Sequence, residues 1–191
     1  NTHPERFMGL APRYAFKDSP NVVDAKGTGN ECTSIWLVVW GEDAACGIFP
    51  KGSKAGLTHK DLGEYDSLDD DGNKYQVIGD QYKWKPGLTV KDWRCVVRIA
   101  NIDTKNLDTA GLQALMIKAK NLIPASKRGR AIWYMNETVQ TALEIAAMDK
   151  NNVHLRYGEY MNSKEILMVH GKPVRQCEAI LNTEAALPAA S

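Results

Sequence analysis

The side chains best suited to catalysis are four histidines, and they are scattered along the chain: His3, His59, His154 and His170. The sequence contains no HExxH zinc motif and no GxSxG nucleophile motif. The run GTGNEC (27–32) has two of the three glycines of a dinucleotide motif, but it precedes a strand pattern and opens no helix. One route to catalysis stays open, namely an α/β enzyme whose Asp, His and Arg side chains are assembled by the fold.

Two further segments resemble ligand-binding loops only in composition. GIFPKGSK (47–54) has glycines and lysines, but the Lys and Ser are in the wrong order for a phosphate loop and no helix pattern follows. The acidic run 69–71, aligned on Gly72 as a calcium loop, would place Ile78 where a bidentate glutamate is needed. The dipeptide Asp71-Gly72 is instead a strong signal for a hairpin turn. We therefore predict no catalytic, cofactor-binding or metal-ligating residue.

Composition indicates an ordinary globular protein of one or two domains. The chain has 191 residues, of which 43% are hydrophobic and 25% charged. A net charge of +1 provides no long-range field to attract nucleic acid or a membrane, and no run of 18 apolar residues is present. The cysteines at 32, 46, 95 and 177 lack metal or redox spacing, so we expect reduced thiols of the core type.

The first half of the chain reads as an irregular segment followed by β-structure. Three prolines and a glycine-rich tract punctuate residues 1–34, which look like a surface connection. Patterns of apolar and β-branched residues predict strands at 35–40, 46–49, 65–68, 74–81 and 93–100. In the last of these, alternation places Arg94 and Arg98 on one face, with Cys95, Val97 and Ile99 on the other. Trp84, between two lysines, is the tryptophan expected nearest the surface.

The second half switches to helix, strand and helix, and then returns to β. Asp108 or Thr109 can cap a helix that Pro124 ends. The run 131–135 predicts a strand, and Asn136 is a natural N-cap for a helix that follows, with Glu137 favoured in its first turn. Residues 166–169 and 174–181 predict two strands joined by a turn at 170–173.

Several motifs together resemble one protein family. IWYMN (132–136), the helix after it and GKPV (171–174) are similar to the C-terminal part of tailed-phage major capsid proteins of the Hong Kong 97 type. SIWLVVWG (34–41), GIFPKG (47–52), DLG (61–63) and GLTVKDWRCVVRIANI (87–102) look like one phage and prophage subgroup. PERFMGL (4–10) is similar to the segment after the family's spine helix. The order of these motifs over nearly the whole chain is what makes the resemblance specific.

The resemblance implies an α+β fold of the Hong Kong 97 type. A mixed sheet with flanking helices would form the axial domain, and further β-rich segments would belong to a peripheral domain. We expect residues 1–34 to be a connecting or peripheral-domain segment, 35–160 the β-rich segment and axial domain, and 161–191 the return to the peripheral domain. The N-terminal arm, extended loop and spine helix of the family lie earlier, so we expect this chain to be a C-terminal portion.

By the same resemblance, the expected function is structural. Such proteins self-assemble into pentamers and hexamers of an icosahedral head around double-stranded DNA, without catalysis or cofactor. The implied partners are other copies, scaffold, portal and decoration proteins, and DNA held nonspecifically, with no membrane. The implied locations are the virion capsid and, before assembly, the host cytoplasm. Residues on two loops are candidate subunit contacts: Lys51, Lys54, Lys127, Arg128 and Arg130.

Two hypotheses from other classes remain alongside the capsid one. An enzyme should show one pocket with convergent titratable groups, whereas a shell subunit should show flat, self-complementary surfaces. A β-rich tail or ligand-binding module is disfavoured by the helical pattern at 108–148.

Overall fold

The computed structural model of the chain describes residues 7–148, 155–160 and 163–189. The chain divides into two compact units. We call them the hairpin unit (Asn1–Met8 and Gly47–Thr89) and the sheet unit (Gly9–Cys46 and Val90–Ser191).

Seven strands precede a helix–strand–helix segment and three strands follow it, a segregated order that fits an α+β protein. The strands are β1 Val22–Asp24, β2 Cys32–Val39, β3 Ala45–Ile48, β4 Thr58–Leu68, β5 Lys74–Lys83, β6 Gly87–Val90, β7 Val96–Asp103, β8 Ala131–Met135, β9 Leu155–Tyr160, β10 Ser163–Val169 and β11 Lys172–Gln176. The α-helices are α1 Thr109–Leu122 and α2 Glu137–Ala147. Short 3₁₀ turns lie at Ala11–Tyr14, Trp93–Cys95 and Arg128–Arg130.

A seven-stranded mixed sheet is the centre of the sheet unit. Its strand order is β1-β7-β2-β8-β11-β10-β9. β1 runs parallel to β7, and β8 runs parallel to β11, while the other neighbours are antiparallel. Every residue of β2 is buried, as its unbroken apolar run predicts for a strand covered on both faces. The mixed sheet with flanking helices agrees with the predicted α+β class.

Both faces of this sheet are covered by apolar side chains. The larger core lies under α1 and α2 and is centred on Trp133, which is fully buried, together with Met116 from α1 and Leu143 from α2. The opposite face carries a smaller core around Trp36, which the ring of Tyr14 meets edge-on. Burying these large side chains is the main favourable term in folding.

Asn136 joins β8 to α2 and holds both to a third segment. Its Oδ1 accepts a hydrogen bond from the N–H of Val139 at 3.0 Å, which is the predicted N-cap. Its Nδ2 donates to Thr33 Oγ1 at 2.9 Å and also to Asn182 Oδ1. The residue is buried, so the junction depends on these bonds rather than on water.

The structure corrects the predicted strand at 93–100. Trp93–Cys95 form a 3₁₀ turn capped by Asp92, whose Oδ1 accepts from the N–H of Arg94 at 3.1 Å. The strand begins only at Val96 and runs to Asp103. Arg94 is consequently exposed and Arg98 buried, so the predicted shared face of the two arginines is wrong.

Two other expectations for the sheet unit also change. The predicted strand at 174–181 ends at Gln176, since Cys177 donates its N–H to Met135 and the chain then turns, with Ile180 N–H bonded to the Cys177 carbonyl. Residues 1–34 contain β1, which no pattern indicated.

The hairpin unit contains one long two-stranded ribbon. β4 and β5 are antiparallel from Thr58 opposite Lys83 to Leu68 opposite Lys74. Asp69 closes the turn, with its Oδ1 accepting from the N–H groups of Asp71 at 3.0 Å and Asn73 at 2.8 Å. Gly72 takes a φ of +82°, which favours glycine, so the predicted hairpin turn is confirmed. β3 and β6 pair as a second, short ribbon. Trp84 is exposed, as predicted.

We expect Asn136→Ala to lower the free energy of unfolding by about 2 kcal/mol, because it removes an N-cap and leaves Thr33 without its buried partner. Urea unfolding of the purified chain measures this. Asn121→Ala is the matched control, since Asn121 is an exposed residue of α1 where alanine is favourable. If both substitutions change the free energy of unfolding by the same amount, the bonds of Asn136 contribute nothing beyond the difference in helix propensity between asparagine and alanine.

Candidate assembly surfaces

The loop before β8 carries three of the five residues predicted to make subunit contacts, and the structure gives each of them bonds within the chain. Lys127 donates from Nζ to the Asp43 carbonyl at 2.7 Å and to Asp92 Oδ2 at 3.1 Å. Arg130 donates from Nη2 to Asp43 Oδ1 at 2.8 Å. Two basic residues of this loop therefore fasten it to the segments that precede β3 and β7.

The Asp92 carboxylate binds two cations, Lys127 and Arg94. It accepts from Arg94 Nε at 3.0 Å and Nη2 at 3.2 Å. The hydrogen bonds from Arg94 and then Lys127 hold the pKa of Asp92 well below its usual range, and the same carboxylate raises the pKa of Lys127. On Asp43, the hydrogen bond from Arg130 lowers the pKa likewise.

Arg128, the third residue, turns away from these carboxylates toward the end of α1. Its Nη2 donates to the carbonyls of Ile123 at 2.9 Å and Asn121 at 3.3 Å, which are orphan acceptors at a helix C-terminus. Lys120 lies in the last turn of α1, and Lys172 opens β11 nearby. Burial, and then the charges of Lys120 and Arg128, lower the pKa of Lys172. We call Lys120, Arg128 and Lys172 the basic cluster.

Lys51 and Lys54, the other two predicted contact residues, lie in the hairpin unit. Both are exposed, on the turn that follows β3. Neither forms an ion pair within the described ranges 7–148, 155–160 and 163–189. The structure therefore separates the five predicted residues into two exposed lysines and three basic side chains with bonds of their own. Their place in a subunit interface stays a prediction.

The role of Arg98 was not predicted from the sequence. This residue is buried in β7, between β1 and β2. Its Nη2 donates to Glu184 Oε2 at 2.8 Å, and its Nη1 donates to the Tyr14 carbonyl at 2.9 Å. The guanidinium carbon lies 5.0 Å from the centre of the Trp36 ring. Its position inside the apolar run VVRIA was the available signal, because an arginine that is surrounded by core residues must be paired.

In the described part of the chain, the best-defined groove does not gather titratable groups as an enzyme site would. This groove holds about 350 Å³ and is lined by Asp103 and Asp108 beside Lys26. Both acids have structural tasks: Asp103 accepts from the Lys105 N–H, which lowers its pKa, and Asp108 caps α1. In the described part of the chain no three His, Cys, Asp or Glu side chains are placed to hold a metal ion. No described helix is long and apolar enough to span a bilayer.

A family model for major capsid protein GP7 matches residues 1–188. The chain belongs to this family. No curated protein matches the sequence. Membership of the major capsid protein GP7 family gives the chain a structural role in a bacteriophage capsid, and it places the chain in the virion. The surfaces of this capsid protein, rather than a pocket, are then where its function is carried out.

Asp92→Asn tests whether the Asp92 carboxylate stabilises the loop before β8 in this capsid protein. The amide retains the cap on Arg94 but loses the charge that faces Arg94 and Lys127, so we expect a loss of about 2 kcal/mol in the free energy of unfolding at pH 7. The folded-state pKa of Asp92 is below its unfolded value. The stability it contributes is therefore fully present above about pH 4 and is lost as the pH falls further.

Urea unfolding of both proteins between pH 7 and pH 3 measures the effect, and the difference between them should shrink below about pH 4. Asp66→Asn is the control, because Asp66 is exposed and has no partner in the described part of the chain. A difference that stays constant across the whole range would rule out the charge as its source.

Proposed function

We infer that this chain is the shell-forming subunit of a tailed-phage head, with a fold of the Hong Kong 97 type. In this proposal, copies assemble into pentamers and hexamers of an icosahedral shell around double-stranded DNA. The observation that carries it is the match of the major capsid protein GP7 family to 188 of the 191 residues. The mixed sheet with two flanking helices supports the fold, because the axial domain of that architecture is expected to have this composition.

The distribution of charge supports a subunit that packs against copies of itself. The chain as a whole carries a net charge of +1, so neighbouring subunits do not repel each other strongly. DNA inside such a shell needs only weak and nonspecific contact. Scaffold, portal and decoration proteins are further proposed partners, and the host cytoplasm is the proposed location before assembly.

The domain division also remains part of the proposal: 1–34 as a connecting or peripheral-domain segment, 35–160 as the β-rich segment and axial domain, and 161–191 as the return. The enzyme hypothesis has no comparable support. It required convergent Asp, His and Arg side chains, whereas Arg98 is committed to Glu184 and Asp103 and Asp108 hold turns and a helix start.

Electron microscopy of the complete gene product, expressed alone and with its phage neighbours, tests this function directly. We expect closed shells or rings of five and six subunits. The physical reason is that identical subunits with matching surfaces close under point symmetry. A monodisperse monomer under every condition would refute the assembly proposal.

Lys51 and Lys54 allow a test of the predicted contacts that does not disturb the fold. We expect Lys51→Glu with Lys54→Glu to reduce the yield of shells while leaving the melting temperature unchanged, because both side chains are exposed and without an ion pair in the described part of the chain. Lys17→Glu with Lys91→Glu makes the same change of charge at other exposed positions and is the control. Normal shells from the first variant would remove this loop from the set of contacts.

A further inference from the structure

The β4–β5 hairpin is unusual because nearly all of its side chains are exposed. Of the 21 residues of these two strands, only Gly79 is buried. An isolated two-stranded ribbon is marginally stable in water and normally needs a further strand or a packed surface. Each strand also has one unpaired edge among the described residues, since β4 and β5 form a sheet of their own. Among the described residues, the hairpin therefore lacks the covering that its length requires.

One face of the hairpin combines carboxylates with apolar side chains. Side chains alternate along a strand, so the register Glu64 opposite Ile78, Asp66 opposite Gln76 and Leu68 opposite Lys74 places all six on one face. Ile78 is 76% exposed and Leu68 61% exposed. Glu64 and Asp66 form no ion pair in the described part of the chain. We call this surface the acidic face.

Charge is divided unevenly between the hairpin and the rest of the chain. Residues 58–83 contain seven Asp and Glu and three Lys, which gives a net charge of −4. Because the whole chain carries +1, all the other residues together carry +5. Two copies can therefore attract each other when the hairpin of one meets the remaining surface of the other, even though the complete subunit is almost neutral.

The basic cluster has the matching chemistry at the end of α1. Lys120 and Lys172 make no ion pair in the described part of the chain. Arg128 bonds to the carbonyls at the end of the helix that carries Lys120, and the charges of Lys120 and Arg128 both act on Lys172. Ile117, three residues before Lys120 and therefore on the same side of the helix, is 37% exposed. Among the described residues no carboxylate pairs with these three cations, so an incoming acid would relieve their repulsion.

We propose that the acidic face of the hairpin docks on the basic cluster of a neighbouring copy of this chain. Glu64 and Asp66 meet Lys120 and Lys172, while Ile78 and Leu68 cover Ile117. The inference rests on the proposed function, because it names the partner and the contact surfaces of the self-association. A contact between two different patches of identical subunits is heterologous, and repeating it around an axis gives a closed ring, as a capsomer requires.

The sign of the charges excludes packaged DNA as the occupant of the acidic face. Carboxylates repel a phosphate backbone, so a partner that docks on this face is protein rather than DNA. The three cations of the basic cluster are also able to bind the phosphate groups of DNA. Binding of DNA at the cluster is therefore the alternative that the experiment must separate.

A charge exchange between the two surfaces is the test. The complete gene product is prepared as Glu64→Lys/Asp66→Lys, as Lys120→Glu/Lys172→Glu, and as all four changes together. We expect each pair alone to reduce the yield of shells or rings at least about tenfold, and the four together to restore it to near the original level. Glu42→Lys/Glu178→Lys and Lys17→Glu/Lys91→Glu are the matched controls, because they make the same changes of charge at exposed positions outside both surfaces.

Folding is checked separately by thermal melting of each variant. The hairpin positions are exposed, and Lys120 and Lys172 are only half-buried, so each variant should remain folded. Normal assembly by either charge-reversed pair overturns the proposal. So does a failure of the fourfold variant to recover when both pairs are folded. Normal shells with reduced DNA content from Lys120→Glu/Lys172→Glu would assign the cluster to DNA and likewise overturn it.

Zero-length crosslinking of the unmodified gene product separates this inference from the proposed function. Isotope-labelled and unlabelled protein are mixed and treated with a carbodiimide, and mass spectrometry identifies joined peptides. We expect Glu64 or Asp66 of one copy joined to Lys120 or Lys172 of another. Shells without these crosslinks would contradict the docking but not the capsid function, whereas a protein that forms neither shells nor crosslinks would contradict both.

Discussion

A positive charge buried in the middle of the sheet is the constraint on which the rest of the sheet unit depends. Arg98 belongs to β7, and a buried guanidinium without a partner is strongly destabilising. Glu184 supplies the opposite charge from a segment that is far away in sequence, and Tyr14 supplies a carbonyl from the opposite end of the chain. The two ends of the unit are therefore folded onto one face of the sheet, where they cover Trp36.

The same segments are held at a second point by Asn101, whose φ of +58° is rare for a residue other than glycine. Its side chain donates to Asp24 at 2.7 Å and accepts from the N–H of Leu187 at 2.7 Å. β1 and the C-terminal segment thus meet at one residue of β7. Both segments are therefore held to the sheet by bonds within a single subunit.

Local chemistry explains what could be predicted from the sequence. The Asp71-Gly72 turn, the cap at Asn136 and the buried run of β2 depend on neighbours in the chain, and all three are confirmed. β1, the 3₁₀ turn at Trp93 and the pairing of Arg98 depend on partners that are distant in sequence, so no local pattern reveals them. The same holds for the candidate subunit contacts. The sequence shows that Lys127 is basic, but it does not show that Lys127 is bonded to Asp92.

The pairing of β3 with β6 has a consequence for how such a protein can vary. These strands flank residues 49–86, so the chain leaves and returns through adjacent positions. Closing a loop costs little more when it is lengthened, about 0.6 kcal/mol for each doubling. The fold therefore tolerates a change in the length or sequence of the intervening segment, because the buried sheet keeps its own sequence requirements. Whatever replaces the segment would still have to provide the surface proposed to dock on a neighbouring copy.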